Sequence, residues 1–370
     1  MITFECEKAL LQNAIGLTSR AASAKSSIPA LEGLLLQADA AGAALSGYNM
    51  STGIRSAFPA EVRAAGRVVV PTRLFGDIAR RMPDDMVSVT VNDNLVVRMT
   101  CGDADFEISA LDAADFPELP AVEDDSPSLS IRQNLFREMI DQTVFSVSTN
   151  ESRPIHTGAL FETENNCLTV VAVDGFRLAL RREELISAND AMSFVAPGAA
   201  LNEVKNICAD TDDPATITLG KRHILFEIGD TELICRRLEG EFLNYRTAIP
   251  RDNPIAVTVE CRDLLRSLDR VSVVISEKLK APVRCRFENN RVLLSAKTGA
   301  GEARDVCPLN GDGQNLEIGF NNRYLTDALR HAPADAVQIR LNTGVSPAVI
   351  IPTEGDEKFL YMVLPVRLRA

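Results

Sequence analysis

Apolar and polar positions along the chain repeat one order of predicted elements three times, with a spacing of about 125 residues. Each copy opens with a short alternating strand, followed by apolar residues at every third or fourth position, a pattern typical of a surface helix. These openings are MITFECEKALLQNAIGLTSRAA, LSIRQNLFREMIDQTVFSVS and VTVECRDLLRSLDRVSVVIS. In the third, Leu264 and Leu268 mark the apolar face of the helix and Arg266 lies toward another face.

The remainder of each copy is rich in predicted strands. After the first helix come EGLLLQADAAGAALSGY, TGALFETENNCLTVVAVDG and APVRCRFENNRVLLSAKTG. In the last two, the pairs Asn165-Asn166 and Asn289-Asn290 separate alternating apolar runs, which predicts hairpins. A second helix follows in VVVPTRLFGDIARRM, FVAPGAALNEVKNIC and IGFNNRYLTDALRHA, and further strands close each copy. Each copy is therefore predicted to be an α+β module of two helices and about eight short strands.

Two linkers, LPAVEDDSPS and AIPRDNP, are rich in proline and acidic residues, as domain boundaries commonly are. They predict modules over residues 1–122, 128–250 and 251–370. The first two copies also end alike, in LDAADFPELP and LEGEFLNYRTAIP. Three unrelated α+β domains, or one large domain, would show the same alternation of helix and strand. The repeated order and the shared endings favour internal repetition.

The composition narrows the class of protein. Hydrophobic residues make up 46% of the chain, which supports large buried cores and argues against global disorder. The start lacks a basic region followed by an apolar one, so a cytoplasmic location is expected. The formal net charge of −12 argues against holding nucleic acid by bulk electrostatics, but it allows cations to be concentrated on one inner surface. Aromatic residues are only 5%, which gives little support to a single-strand stacking platform.

The candidate chemistry is sparse. None of the eight cysteines forms a CxxC pair and the three histidines lie far apart, so no metal or other cofactor is expected. The cysteines in LICRRL and VRCRF favour buried, reduced thiols. The motifs GxSxG, GxGxxG, HExxH and the Walker A loop are absent from the sequence. The acidic group Glu123-Asp124-Asp125 and the trio Asp210, Asp212 and Asp213 lie in predicted loops, where solvated turns explain them better than an acid–base pair. An enzyme is the main competing class, and no residue is nominated as catalytic.

Five segments resemble the β subunit of bacterial DNA polymerase III, the family of sliding clamps. VDGFRLAL (173–180) is similar to the family's TDGHRLA, and MVLPVRL (362–368) is similar to its MPMRL ending. LDAADFPELP (111–120), IPAL (28–31) and SEKLKAPVR (276–284) add to the resemblance, which covers essentially the whole chain. It implies a head-to-tail homodimer of three-module protomers, closed into a ring with helices inside and a continuous sheet outside.

The resemblance also implies a function without catalysis. The ring would encircle double-stranded DNA independently of its sequence and act as a processivity factor that tethers the replicative polymerase. Weak attraction to phosphate is sufficient when the closed ring itself keeps the protein on the DNA. The implied partners are the polymerase III alpha subunit, clamp-loader subunits, and other polymerases or repair proteins that dock short linear peptides. The alternative is a clamp paralogue or peptide-binding scaffold that is not the main replicative ring.

Site residues are carried over from the family by position. The implied DNA-binding residues are Arg20, Lys25, Arg73, Arg80, Arg137, Asn150, Arg153, Lys205, Arg266 and Arg323. The implied peptide-binding pocket, between the second and third modules, consists of His156, Val173, Gly175, Phe176, Arg177, Leu178, Leu243, Thr247, Ala248, Leu279, Asn321, Tyr324, Val345, Ser346, Met362, Leu364, Pro365, Val366, Arg367 and Leu368. At the implied dimer interface, Phe106 and Ile108 of one protomer meet Val273 and Val274 of the other.

The chain departs from the family pattern at several of these positions. Phe176 replaces a common histidine, Leu243 a common proline, and Thr247 a common arginine. His156 stands where an aliphatic residue is usual. The helix in APGAALNEVKNIC lacks basic residues that the family often has near its start. These departures predict a retained pocket with an altered preference for peptides, and the missing basic residues weaken the case for a DNA contact at that helix.

Overall fold

The computed structural model describes residues 1–123, 125–275, 281–355 and 358–368. Within these ranges the α-helices are α1 (Lys8–Thr18), α2 (Thr72–Arg81), α3 (Gln133–Val144), α4 (Gly198–Ile207), α5 (Tyr245–Ala248), α6 (Cys261–Ser272) and α7 (Asn322–Arg330). No helix in this part of the chain combines the length and the apolar character needed to cross a membrane.

The strands follow the three predicted copies. Those of the first copy are β1 (Ile2–Glu7), β2 (Gly33–Asp39), β3 (Gly42–Tyr48), β4 (Thr52–Phe58), β5 (Glu61–Ala64), β6 (Gly66–Pro71), β7 (Met86–Val91), β8 (Val96–Cys101), β9 (Ala104–Ser109) and β10 (Leu111–Asp112). Those of the second are β11 (Ser128–Arg132), β12 (Gly158–Glu164), β13 (Cys167–Val173), β14 (Arg177–Glu184), β15 (Ser187–Ala188), β16 (Ser193–Pro197), β17 (Pro214–Leu219), β18 (His223–Ile228) and β19 (Thr231–Arg236). Those of the third are β20 (Ile255–Glu260), β21 (Val283–Thr298), β22 (Gly301–Phe320), β23 (Ala336–Leu341), β24 (Ala348–Pro352) and β25 (Phe359–Val363).

Two of the three sheets join strands from neighbouring copies. The first copy alone forms a five-stranded sheet in the order β5-β1-β7-β8-β9. A ten-stranded sheet runs β10-β6-β2-β3-β4-β19-β18-β17-β11-β15, so that β4 of the first copy pairs with β19 of the second. The other ten-stranded sheet runs β16-β12-β13-β14-β25-β24-β23-β20-β22-β21, so that β14 of the second copy pairs with β25 of the third. The same kind of junction is therefore made twice within one chain.

The chain divides into two compact units. The first comprises Met1–Arg137, Ile186–Asp190 and Glu203–Arg237. Its main core joins β1, α1 and α2 through fully buried side chains such as Phe4, Leu11 and Phe75. Burying each side chain of this size contributes roughly 2–3 kcal/mol. A Cβ added at Gly76 of α2 would lie 3.2 Å from Ile15 of α1, so the missing side chain lets the two helices approach closely.

The second unit comprises Glu138–Leu185, Ala191–Asn202 and Leu238–Ala370. Its larger core packs α6 and α7 against the strands of the third copy, with Leu264 and Leu268 of α6 buried as the sequence predicts. A smaller cluster lies on one face of the sheet formed by β13, β14 and β25, beneath α5. This smaller cluster carries the candidate binding site.

The Asn-Asn pairs behave differently from each other. At Asn165-Asn166 the two φ angles are 51° and 57°, and β12 and β13 pair directly across the turn, which confirms a hairpin. The pair Asn289-Asn290 instead lies inside the long strand β21, where the register with β22 shifts twice and Asn290 has a φ of 56°. The predicted turn between separate strands is wrong here, because β22 pairs with β21 on both sides of the irregularity.

The α+β class and the two longer helices of each copy are confirmed. In the third copy the described residues form six strands, because β21 and β22 extend over 16 and 20 residues and take the place of several short strands. All eight cysteines are free, and all except the half-buried Cys167 are buried. Burial raises the pKa of Cys285 to about 12, which keeps this thiol protonated and unreactive at neutral pH.

Candidate functional site

A tight turn between β13 and β14 is fixed by its own aspartate. Asp174 Oδ1 accepts hydrogen bonds from the backbone N–H groups of Phe176, at 2.9 Å, and Arg177, at 3.0 Å. Gly175 has a φ of 91°, a conformation that residues with a Cβ rarely adopt. The turn holds Phe176 with 58% of its surface exposed.

Arg177 ties this turn to two helices. Its Nε donates to Asp174 Oδ2 at 2.9 Å, Nη1 to Asp327 Oδ2 of α7 at 2.6 Å, and Nη2 to the carbonyl oxygen of Phe145, just after α3, at 2.6 Å. The side chain is only 7% exposed, so its charge depends on these partners in place of water. Arg177 therefore holds the turn in position, and its location in the predicted pocket is that of a buried support.

An aromatic pair forms the exposed side of this turn. The rings of Phe176 and Tyr324 stack with centroids 6.1 Å apart and planes 20° apart. The Arg177 guanidinium also lies over the Tyr324 ring, 4.6 Å from the ring centroid. Burial, followed by the charge of Asp174, raises the pKa of Tyr324. Leu364 donates its N–H to the carbonyl oxygen of Phe176 at 2.9 Å, which brings the end of β25 against the same turn.

Three predicted pocket residues form an apolar floor beside the turn. Val173, Leu178 and Met362 face one another across β13, β14 and β25, because Leu178 is the register partner of both others. They are 2%, 1% and 7% exposed and belong to one cluster with Tyr245. An apolar floor next to an exposed aromatic pair suits leucine or phenylalanine side chains of a docked peptide.

His156 lies at the edge of the same cluster, in a short 3₁₀ turn over Pro154–Thr157. Its ring meets Phe242 edge-on at 5.4 Å. The Nε2 atom is buried and has no hydrogen-bond partner among the described residues. Burial, with a smaller contribution from Arg153, lowers the pKa of His156. The neutral imidazole is therefore the form that fits this position.

The lowered pKa of His156 predicts a specific pH dependence of stability. The unfolded chain binds its proton as the pH falls through about 6.5, whereas the folded chain does so only at lower pH. Acidification therefore favours unfolding. We expect the thermal midpoint to fall more steeply between pH 7 and pH 5 in the unsubstituted protein than in His156→Leu. Calorimetric scans at several pH values measure this, and parallel curves for the two proteins would contradict it.

The other predicted pocket residues are distributed more widely. Leu243, 45% exposed, precedes α5, and α5 itself contains Thr247 and Ala248. Asn321 caps α7 by accepting from the N–H of Arg323 at 3.0 Å. Val345 and Ser346 lie between β23 and β24, and Pro365 follows β25. The remaining members of the predicted set line a different cavity, of about 1320 Å³, beside β21 and β22: Val366, Arg367 and Leu368. Leu279 lies outside the described residues.

Cations of the predicted DNA-binding set are exposed in the first unit, with one exception. Arg73 and Arg80 of α2 line a shallow groove of about 250 Å³ shared with α1. Arg20 lies 3.2 Å from Glu203, and Arg80 lies 3.2 Å from Asp77, so part of this positive charge is neutralised internally. The remaining members of the set in this unit are the exposed Lys25 and Arg137 and the half-buried Lys205.

In the second unit the predicted DNA-binding residues Asn150, Arg153, Arg266 and Arg323 are all exposed. Asn150 Oδ1 accepts from the N–H of Ser152 at 3.0 Å, so its side chain shapes its own loop. Arg266 projects from α6 on the side away from the buried leucines.

The four predicted interface residues differ in exposure. Phe106 on β9 is 37% exposed and Val273 after α6 is 83% exposed, so both are available to a partner. Ile108 is only 6% exposed and belongs to the core of the first copy. Val274 is half-buried, and its carbonyl oxygen accepts from Thr298 at 2.8 Å. Ile108 therefore packs inside its own module, and its part in the interface stays a prediction.

Sequence reasoning missed the residues that contact Arg177 and His156 from elsewhere in the chain. Asp327 and Phe145 bind Arg177, and Phe242 packs against His156. None of the three carries a local motif, because each reaches the site from a distant part of the chain. Asp174 could have been found, since an aspartate before glycine is a common turn signal. The described residues contain no group of three or more His, Cys, Asp or Glu side chains that could hold a metal ion.

Comparison with known proteins identifies the family. Three family models match in order along the chain: the N-terminal, central and C-terminal domains of the DNA polymerase III beta subunit, over residues 2–120, 130–244 and 246–367. A relative named beta sliding clamp from Synechocystis is 32% identical over 98% of both chains. One of the same name from Bacillus subtilis is 29% identical over 98% of this chain and 99% of its own.

Solved structures agree with these sequence matches. The DNA polymerase sliding clamp from Bacillus subtilis superposes with a TM-score of 0.93 at 26% identity over all of both chains. A sliding clamp from Pseudomonas aeruginosa bound to griselimycin superposes with a TM-score of 0.92 at 25% identity, over 99% of this chain and 100% of its own. The chain belongs to the family of DNA polymerase III beta subunits, the beta sliding clamps.

Proposed function

We propose that this chain closes with a second copy of itself into a ring around double-stranded DNA and tethers the replicative polymerase to it. The ring serves as a processivity factor and carries out no chemical step of its own. Its protomer consists of three modules, over residues 1–122, 128–250 and 251–370. The polymerase alpha subunit, clamp-loader subunits and repair proteins dock on it through short peptides.

The repeated junction between sheets carries this proposal. Within the chain, β4 pairs with β19 and β14 pairs with β25, each time joining the fourth strand of one copy to the last strand of the next. Residues 301–306 of β22 occupy the place of β4 and β14 in the third copy, and β9 occupies the place of β19 and β25 in the first. In the described residues, β9 pairs only with β8, and residues 301–306 pair only with β21.

In the proposed dimer, the edge of β9 in one protomer pairs with residues 301–306 of β22 in the other. An unpaired strand edge exposes a row of backbone donors and acceptors, and a head-to-tail contact that closes removes such edges. Phe106 lies on β9. Val273 lies close to the start of β22, because a Cβ added at Gly301 would lie 3.7 Å from the side chain of the neighbouring Val274. A heterologous contact of this kind gives a closed dimer.

The distribution of charge supports encirclement rather than adhesion. The protein is acidic overall, with a net charge of −12, yet its predicted DNA-binding residues are mostly exposed arginines on helices. Several of them are partly neutralised, such as Arg20 by Glu203. Weak, sequence-independent phosphate contacts permit sliding because the closed ring prevents escape.

Retention on DNA of different topology tests the proposal. We expect the protein, loaded by a clamp loader, to stay on nicked circular DNA during gel filtration and to be lost when a restriction enzyme linearises the circle. Loading onto a linear duplex whose ends are blocked by bound protein should restore retention. Equal loss from circular and open linear DNA would show that the protein holds DNA by contact alone.

A further inference from the structure

A second groove opens on the sheet face that carries the apolar floor of the proposed peptide pocket. It has a volume of about 780 Å³, within the range of sites that hold small ligands and peptide side chains. Its floor consists of Thr169, Leu180, Arg182 and Leu360, where Thr169 pairs with Arg182 and Leu180 pairs with Leu360. None of these residues belongs to the predicted pocket.

The groove and the proposed pocket lie side by side on the same strands. Leu180 and Leu360 pack in the same apolar cluster as Leu178 and Met362, one step further along the same strands. The short helix α5 stands over both, since Tyr245 lines the groove while Thr247 and Ala248 belong to the predicted pocket. A peptide seated in the pocket therefore has the groove directly beside it.

The wall of the groove is held rigidly by one carboxylate. Glu162 Oε2 accepts from the hydroxyl of Tyr245 at 2.8 Å and lies 3.0 Å from Nη2 of Arg246. The guanidinium of Arg246 also lies 4.8 Å from the centroid of the Tyr245 ring. Because Tyr245 is only 4% exposed, this hydrogen bond fixes α5 against the sheet and keeps the groove open.

Two of the four cations that line the groove have no ion-pair partner among the described residues. Arg182 and Arg251 are exposed and make no ion pair within the part of the chain that the structure describes. Lys358 is 62% exposed and lies 3.6 Å from Glu183, whose other oxygen is already bound by Arg181. Among the acidic residues of the lining, only the exposed Glu184 lacks a cation within ion-pair distance in these residues. The free charge of the groove is thus positive in a protein with an overall charge of −12.

We infer that this groove binds acidic residues that flank the apolar anchor of a docked partner peptide. The inference rests on the proposed peptide-docking role and adds the chemistry of a second contact. Arg182 and Arg251 pair with the flanking carboxylates, and the apolar floor of Leu180 and Leu360 receives the aliphatic part of the same segment. The groove thereby distinguishes partners that share one anchor.

Fluorescence polarisation with matched peptides tests this inference. The probes share a Leu-Phe anchor and carry three Asp or Glu residues either before or after it, and each has a counterpart with Asn or Gln. We expect one of the two acidic peptides to bind about fivefold more tightly than its amide counterpart at low salt. This difference in affinity should shrink at high salt. The advantage should vanish in the double variant Arg182→Gln and Arg251→Gln, which should still bind the amide peptides normally. The control Arg63→Gln with Arg67→Gln removes equal charge from the other unit.

Cys167 provides an independent readout, because it lines the groove and is half-buried whereas the other seven thiols are buried. We expect the favoured acidic peptide to slow alkylation of Cys167 by iodoacetamide, measured by mass spectrometry, more than its amide counterpart does at equal occupancy. Equal affinity of acidic and amide peptides, or equal protection of Cys167, would overturn the role of the groove alone. Absence of binding by every peptide would overturn the peptide-docking role and the groove with it.

Discussion

Replacing Arg177 with methionine is expected to lower the free energy of unfolding by about 3 kcal/mol, because it removes one partner from a buried charge network. Asp174 and Asp327 are 11% and 17% exposed and would lose their shared cation, and the carbonyl oxygen of Phe145 would lose its donor. The turn that presents Phe176 would also lose its anchor to α7. Peptide affinity should therefore fall at least tenfold. Urea denaturation followed by circular dichroism, and fluorescence polarisation, measure the two effects.

Arg323→Met is the matched control for this change. Arg323 lies 3.8 Å from the same Asp327 carboxylate but is 79% exposed. An exposed ion pair of this kind contributes less than about 1 kcal/mol, so the control should unfold at nearly the urea concentration of the unsubstituted protein. Equal destabilisation by the two substitutions would mean that burial does not distinguish these arginines, and the role assigned to Arg177 would be wrong.

The double variant Phe106→Asp and Val273→Asp is expected to be monomeric at concentrations where the unsubstituted protein is a dimer. Each substitution places a charge where an exposed apolar side chain is proposed to become buried between protomers. Removing one such central contact costs about 2 kcal/mol, or roughly 30-fold in the dissociation constant. Because each residue occurs at both junctions of a closed dimer, both would weaken. Sedimentation equilibrium over a range of protein concentrations measures the dissociation constant.

Met86→Asp is the control for the interface. Met86 is 47% exposed on β7, in the same sheet as β9, and takes no part in the proposed junction. This variant should dimerise normally. Ile108 is unsuitable for the test because it is buried in the core of its own module, where a charge would destabilise the protomer itself. A double variant that still sediments as a tight dimer would refute the proposed contact, whatever the control does.

Much of the fold follows from the periodicity of the sequence. The amphipathic pattern of CRDLLRSLDRVS predicts α6, and its leucines are buried as expected because helical spacing places them on one face. The Asn165-Asn166 hairpin was also predictable, since asparagine tolerates positive φ angles in two-residue turns. The same signal failed at Asn289-Asn290 because pairing with a long neighbouring strand depends on residues far away in the sequence.

Within the candidate site, sequence reasoning supplied Val173, Leu178 and Met362, which do lie together on one face. It could not supply their surroundings. Arg177 belongs to the motif that predicts the pocket. In the structure it is bound by Asp174, Asp327 and Phe145, and these contacts hold the turn in position. Membership of a motif therefore did not separate residues that can meet a ligand from residues that position them.

The sequence by itself determined that the chain is a threefold repeat of an α+β module, because hydrophobic periodicity is a local property that survives divergence of individual residues. Only the tertiary structure decided which strand edges join, which cations remain unpaired, and that a positively charged groove lies beside the proposed peptide pocket. These features arise from contacts between residues more than a hundred positions apart, such as the pairing of Leu178 with Met362. The free energy of these contacts depends on burial and on distances in space, and the linear pattern of residues contains neither.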